Sequence, residues 1–148
     1  MCAAPAFAQN DIYLIPPVQL LPLQKMETND YGIVIADKGD VLNENVWKNT
    51  SFYSINAKFS DIRDQLPASA EKLRLHLLKL AAKAPQGTTD QSFITLKLKS
   101  LFNRGQFDDA YALMQKIPEK KRTNEQNNIY TNVLLMQNLQ TACFSMDQ

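Results

Sequence analysis

The sequence predicts an all-α fold: a short right-handed α-solenoid of helical hairpins, preceded by an extended N-terminal arm that contains proline. Apolar residues recur at helical spacing from residue 52 onward, and four of the seven prolines precede that point. The charge changes there too, because residues 1–51 carry six acids and three bases (net −3), whereas residues 52–148 carry nine acids and thirteen bases (net +4). A third observation is a repeat with a 32-residue period after residue 90.

The composition is that of an ordinary globular domain. With 148 residues, of which 45% are apolar and 21% charged, the chain is long enough to bury a core. A net charge of +1 argues against a nucleic-acid binder driven by bulk charge. No stretch of about 18 consecutive apolar residues occurs, so we predict no membrane span. Two cysteines and one histidine argue against a disulfide scaffold and against most zinc sites.

The first eight residues are interpreted as a signal-peptide remnant. Ala6-Phe7-Ala8 before Gln9 fits the small-x-small pattern of a secretory cleavage site. We therefore expect a bacterial protein that is periplasmic or secreted. The alternative interpretation is a short alanine-rich terminus with no targeting role. After such cleavage only Cys143 would remain, and we interpret this residue as a small buried apolar side chain.

Residues 9–51 are predicted to form an extended or irregular arm. Three prolines interrupt the apolar segment 12–24, and proline removes hydrogen-bond donors and fixes φ. We expect this segment to lie extended across a hydrophobic groove. Residues 32–36 are short and β-branched, which indicates an extended segment, although the sequence offers it no evident partner.

Residues 52–148 are predicted to form the helical-repeat domain, which we expect to continue beyond residue 148. The second helix, capped by Ser69, is apolar over most of its circumference and is therefore expected to pack on two sides. Gly105 is predicted to end the third helix as its C-cap. The predicted helices cover 54–65, 69–83, 90–104, 107–117, 124–136 and a sixth that begins at residue 139.

The repeat places the third and fourth helices onto the fifth and sixth with a shift of 32 residues. The matched helix positions are apolar in both copies, and an alanine recurs in register, which would let paired helices approach closely. The alternative is that two amphipathic helix pairs align in this way by chance. The residues predicted to pack the repeats are Leu98, Leu101, Gly105, Phe107, Ala110, Met114, Tyr130, Val133, Ala142 and Met146.

The stretch 101–114 resembles the tetratricopeptide repeat family. Gly105, Phe107 and Ala110 match the turn glycine, the aromatic residue and the small residue of that family. The chain departs from the family in its 32-residue period and in lacking the tryptophan and mid-helix glycine of the family's first helix. The resemblance covers about residues 90–148, and it implies stacked hairpins with a concave surface for a protein or peptide.

A second resemblance covers more of the chain. A tryptophan stretch at 47–50 is followed by Leu66-Pro67, a leucine-rich helix at 73–80 and a loop at 85–87. This order is similar to that of uncharacterised secreted helical-repeat proteins of alphaproteobacteria. The resemblance implies a location in the cell envelope and no known chemistry.

No motif in the sequence predicts catalysis. The neighbours of His76 one helical turn away include Lys72 and Lys79, and none of them is an acid or a nucleophile. Asp108 and Asp109 open a predicted helix, where acids favour the positive end of the dipole. The four glycines are too scattered to form a phosphate-binding loop. We therefore expect no enzyme activity, no cofactor and no bound metal.

The sequence predicts a non-catalytic protein–protein interaction or scaffold module of the bacterial cell envelope. The alternative is a structural N-terminal part of a larger envelope protein whose activity lies beyond residue 148. We expect a protein or peptide partner and no nucleic acid. The predicted binding residues, chosen from polar helix faces, are Lys97, Arg104, Asn128 and Asn132.

Overall fold

A computed structural model of the chain describes residues 27–36, 42–61 and 66–146, without the side chains of residues 60–61 and 139–146. Within this part of the chain there are two isolated β-bridges and no strand, which confirms the all-α expectation. The predicted signal-peptide remnant and the segment 12–24 lie outside the described residues. The helices are α1 (Phe52–Asp61), α2 (Ala68–Lys79), α3 (Ser92–Asn103), α4 (Phe107–Lys116) and α5 (Asn124–Met146), with short 3-10 helices at Thr28–Asp30 and Glu119–Lys121.

Helix α3 is the central helix of the described part, because α1, α2, α4 and α5 all pack against it. All six residues from Phe93 to Leu98 are buried, so every side of its first turns is covered. Helix α2, which the sequence predicts to pack on two sides, contributes to both core clusters, through Leu75 and Leu78 to one and through Leu77 to the other. In α2 only Arg74 and Leu78 are buried, and Leu73 is exposed.

The core divides into two clusters on either side of α3. In one of them Trp47 packs edge-on against Phe59 and Phe93, with ring centroids 6.3 and 5.9 Å apart. Aromatic pairs in this arrangement contribute beyond the area that they bury. The other cluster joins α3 to α4 and α5 and includes Leu98, Leu101, Ala110, Leu113, Met114, Ile117, Ile129 and Val133.

The turn between α3 and α4 is closed by Gly105, at φ +70°. The N–H of Gly105 donates to the carbonyl of Phe102, and the N–H of Gln106 donates to that of Leu101, both at 3.0 Å. These two bonds form a Schellman motif, which requires the left-handed backbone that glycine adopts without strain. Arg104 is the C-cap residue and Gly105 follows it, so Gly105 ends α3 as the sequence predicted.

One continuous helix, α5, replaces the predicted fifth and sixth helices. A shift of 32 residues places Gln137 at the position of Gly105, so this point lacks the residue that turns the chain after α3. Neither glycine nor proline occurs between residues 124 and 146 to interrupt the helix. The prediction of a second hairpin within this range was therefore wrong.

Helix α2 ends four residues earlier than predicted, at Lys79, and it begins after Pro67 rather than at Ser69. The chain then runs extended because it pairs with residues 33–34. The N–H groups of Ile33 and Val34 donate to the carbonyl of Lys79 at 2.7 and 3.0 Å, and Ala81 donates back to Val34 at 2.7 Å. The extended segment predicted at 32–36 therefore has a partner, which is the α2–α3 linker (residues 80–91).

Candidate functional site

The outer face of α5, which points away from α3 and α4, carries Leu135, and the partly exposed Leu134 and Met136 flank it on either side of the helix. Leu134, Leu135 and Met136 are 36%, 56% and 40% exposed. The opposite side of the same helix is buried against α3 and α4 through Ile129 and Val133. Soluble domains rarely leave contiguous apolar side chains uncovered unless they contact another molecule.

Two of the four predicted binding residues lie on this face. Asn128 and Asn132 are exposed, and helical spacing places both on the same side of α5 as Leu135, two turns and one turn before it. This arrangement gives an apolar centre with amide groups at its edge. Such groups can exchange hydrogen bonds with a partner's backbone while the leucine is covered.

The other two predicted binding residues are held inside the molecule. Lys97 is 1% exposed, because the segment 27–36, the linker and neighbouring helices surround α3 on all sides. The prediction that it contributes to an exposed surface was therefore wrong. Arg104 is mostly buried, and its guanidinium lies 3.4 Å from the Glu71 carboxylate, which also pairs with Arg74. For Arg104, a role in binding stays a prediction.

Lys97 connects three parts of the chain. Its Nζ donates to the carbonyl of Tyr31 at 3.0 Å and to that of Leu80 at 2.9 Å. The same atom lies 4.8 Å from the centre of the Phe93 ring, within cation–π range. Burial lowers the pKa of Lys97 to about 8, against an opposing effect of the Asp30 charge. The lysine thus fastens the segment before α1 and the α2–α3 linker to α3.

The predicted repeat-packing residues fall into the cluster between α3, α4 and α5. The rings of Phe102 and Phe107 lie 5.6 Å apart, and those of Tyr111 and Tyr130 stack at 5.9 Å. Ala142, Met146 and Cys143 lie in the end of α5, where side chains are outside the described part. The repeat-packing residues that the structure buries are Leu98, Leu101, Ala110, Met114 and Val133, with Phe107 and Tyr130 packed against them.

The start of α5 is fixed by a capping box that the sequence analysis missed. The N–H of Gln126 donates to Thr123 Oγ1 at 3.3 Å, and the N–H of Thr123 donates to Gln126 Oε1 at 3.0 Å. The amide of Gln126 also donates to Thr95 Oγ1 of α3 at 2.9 Å. The signal was present as Thr-x-x-Gln at 123–126. This network orients α5, and therefore its outer face, relative to α3.

An open cleft of about 520 Å³ lies beside the starts of α3 and α5 and is also lined by Phe52 and Asn56 of α1. An ion pair at 2.5 Å joins two of its lining residues, Lys99 and Glu125. Ten of its twelve lining residues are polar or charged, and the other two are Phe52 and Leu96. Within residues 27–36, 42–61 and 66–146, no three His, Cys, Asp or Glu residues are grouped to hold a metal ion.

In the same described ranges, no helix combines the length and apolar character needed to cross a membrane. Comparison with known proteins adds no relative: no family model matches the chain, and no curated protein or solved structure matches it either.

Proposed function

We propose that the chain is a non-catalytic protein-interaction or scaffold module of the bacterial cell envelope, periplasmic or secreted, whose partner contacts the outer face of α5. The observation that supports this most is the exposure of Leu134, Leu135 and Met136 in succession. Covering Leu135, which is 56% exposed, contributes roughly 1–2 kcal/mol, in proportion to the area removed from water. Asn128 and Asn132 supply the polar edge that a reversible interface needs.

We further propose that α3, α4 and α5 are successive helices of a short right-handed α-solenoid. Support comes from their mutual packing, in which each of the three contacts the other two. Ala110, fully buried on α4, is the small residue that close helix packing uses in the tetratricopeptide resemblance. In this proposal the extended N-terminal arm lies along the array. The envelope location is supported by the cleavage-like sequence at 6–9.

The second hypothesis is that the chain is the structural N-terminal part of a larger envelope protein. In that case a different segment contacts the outer face of α5. A later segment of the same polypeptide would then pack on Leu135. The two hypotheses therefore differ in whether the contact to Leu135 is intermolecular or intramolecular.

The experiment places a photocrosslinking amino acid at position 135 and, as a matched control, at the exposed position 72 of α2. After irradiation of fractionated native cells, we expect a defined intermolecular adduct from position 135 and none from 72. A Leu135→Asp chain should compete for this adduct at least tenfold less well than the wild-type chain. Equal labelling from both positions, or none from 135, would refute the interaction proposal, and an adduct within one longer polypeptide would favour the second hypothesis.

A further inference from the structure

Residues 27–36, which we call the strap, lie in a groove between α3 and the α2–α3 linker. Tyr31 and Ile33 pack against the cluster between α3, α4 and α5, and Asn29 is buried. Ile35 is 82% exposed, whereas Ala36 at the end of the strap packs against the cluster around Trp47. The strap begins with the 3-10 helix Thr28–Asp30 and continues as an extended segment that pairs with the linker.

The first polar contacts of the strap are made by two consecutive side chains. Asn29 Oδ1 accepts a hydrogen bond from the N–H of Ile94 at 3.3 Å, and Asn29 Nδ2 donates to the carbonyl of Asp90. Asp30 Oδ1 accepts from the N–H of Ala84 at 2.8 Å. The groove therefore distinguishes these two side chains from others of similar size, because it offers both a donor and an acceptor to the amide.

The middle of the strap is recognised through its backbone. Lys97 Nζ donates to the carbonyl of Tyr31, and the N–H of Ala81 donates to that of Val34. Between them, Gly32 lies so close to the linker that a Cβ atom there would be 2.2 Å from the nitrogen of Ala81. The nearest atoms are backbone atoms, which cannot rotate away, so only glycine fits this position.

If the strap left the groove, a defined set of polar groups would lose hydrogen-bond partners. The N–H groups of Ile94, Ala81 and Ala84 would lose their acceptors, and the carbonyls of Lys79 and Asp90 would lose their donors. The Lys97 ammonium would lose the carbonyl of Tyr31 and keep that of Leu80. A peptide that repeats the strap sequence would restore these bonds, whereas a peptide with a side chain at the glycine position would clash.

We propose that this groove is a recognition site for a peptide with the pattern Asn-Asp-aromatic-Gly-β-branched, and that the strap of a second copy of the chain is its intermolecular occupant. In a single chain the strap fills the groove in cis. Exchange between copies replaces each intramolecular bond with the same intermolecular bond, the principle of domain swapping. This groove is separate from the outer face of α5, and its test does not depend on the outcome there.

The test uses the full chain carrying Gly32→Val, which expels its own strap, and a fluorescent peptide with the wild-type sequence of residues 27–36. We expect fluorescence anisotropy to give at least a tenfold lower Kd for the variant chain than for the wild-type chain, whose groove is filled. A peptide that itself carries Gly32→Val should not bind. Equal affinity for both chains, or no binding to a variant that keeps its helical circular dichroism, would overturn the proposal.

A milder variant covers the case in which Gly32→Val loses its helical signal. Asn29→Ala removes two polar contacts of the strap without introducing a clash. We expect this chain to stay helical and to bind the wild-type peptide more tightly than the wild-type chain does. If this chain also unfolds, or stays helical and fails to bind the peptide, the strap is an inseparable part of the fold and the proposal is wrong.

Discussion

The side chain of Asn29 caps helix α3 at Ile94, a residue 65 positions further along the chain, through a hydrogen bond of 3.3 Å. Gln91 occupies the N-cap position and makes no side-chain capping bond. The first turn of a helix leaves backbone N–H groups without intrahelical partners. A residue of the strap therefore satisfies one of them in place of the local N-cap, which joins the strap to the central helix.

Replacing Asn29 should destabilise the protein through this cap. We expect Asn29→Ala to lower the free energy of unfolding by about 1–2 kcal/mol, the usual cost of losing an N-cap acceptor. Asn29→Asp keeps the acceptor for the Ile94 N–H but places a buried carboxylate against the Asp90 carbonyl, so its loss should be at least as large. Urea unfolding followed by circular dichroism measures both, and an unchanged free energy of unfolding in Asn29→Ala would contradict the capping role.

The buried hydrogen bond between Thr95 and Gln126 should make a measurable contribution to the free energy of unfolding. Thr95→Val leaves the Gln126 amide without its acceptor in a buried position, for a cost of about 1–3 kcal/mol. Thr131→Val is the matched control, because the Thr131 hydroxyl is exposed and bonds only within α5, to the carbonyl of Asn127. We expect the control to change the free energy of unfolding by less than about 0.5 kcal/mol. Similar losses in the two variants would argue against an anchor between α3 and α5.

The stability of the protein should rise with pH because of Lys97. Its pKa is about 8 in the folded chain against an ordinary value of 10.5, so between these values the unfolded chain binds more protons than the folded chain. The burial penalty is therefore complete below pH 8 and is relieved as the pH rises toward 10.5, by about 3 kcal/mol in total. The neutral amine keeps two N–H donors, enough for the carbonyls of Tyr31 and Leu80.

The quantity that tests Lys97 is the change in the free energy of unfolding with pH, not its value at one pH. We expect the free energy of unfolding, measured in urea from pH 7 to pH 10, to rise more steeply in the wild-type chain than in Lys97→Met. The difference between the two slopes isolates the contribution of the lysine. Parallel slopes would show that Lys97 is not held in the buried site.

Replacing Gly105 should destabilise the protein because of its backbone conformation and not because of a steric clash. A Cβ at this position meets no atom within 4 Å, yet φ is +70°, a conformation that costs an alanine roughly 1–2 kcal/mol. We expect Gly105→Ala to lose about that amount in urea unfolding and Gly105→Asn to lose less, since asparagine tolerates this region better. If alanine and asparagine proved equally costly, the left-handed turn would not be the cause.

The sequence predicted the parts of the fold that depend on local pattern. The start of α4 at Phe107 and the cap at Gly105 follow from spacing and turn chemistry within a few residues. The end of α2 was missed because it depends on pairing with Val34, a contact that no local pattern reveals. The break predicted inside α5 is wrong. The apolar positions on both sides of it match those of α3 and α4 at a shift of 32 residues, but Gln137 stands where Gly105 turns the chain.

For the candidate site too, the sequence predicted features that depend on nearby residues and missed those that depend on distant ones. Asn128 and Asn132 were predicted from a polar helix face, and the structure leaves them exposed. Lys97 was assigned to such a face as well, but its burial depends on a segment 66 residues away in the sequence. The capping box at 123–126 was readable from the sequence, whereas the cap provided by Asn29 was not, because its partner is too distant in the chain.

The distance between the strap and its groove also has a consequence during translation. Asn29 is synthesised 65 residues before Ile94, which at about 5–20 residues per second corresponds to a delay of about 3 to 13 s. For that interval the nascent chain carries Tyr31 and Ile33 without the helix that covers them. The hairpin of α3 and α4 closes through neighbouring residues, whereas the strap must bridge a long loop, so its docking belongs to the late steps of folding.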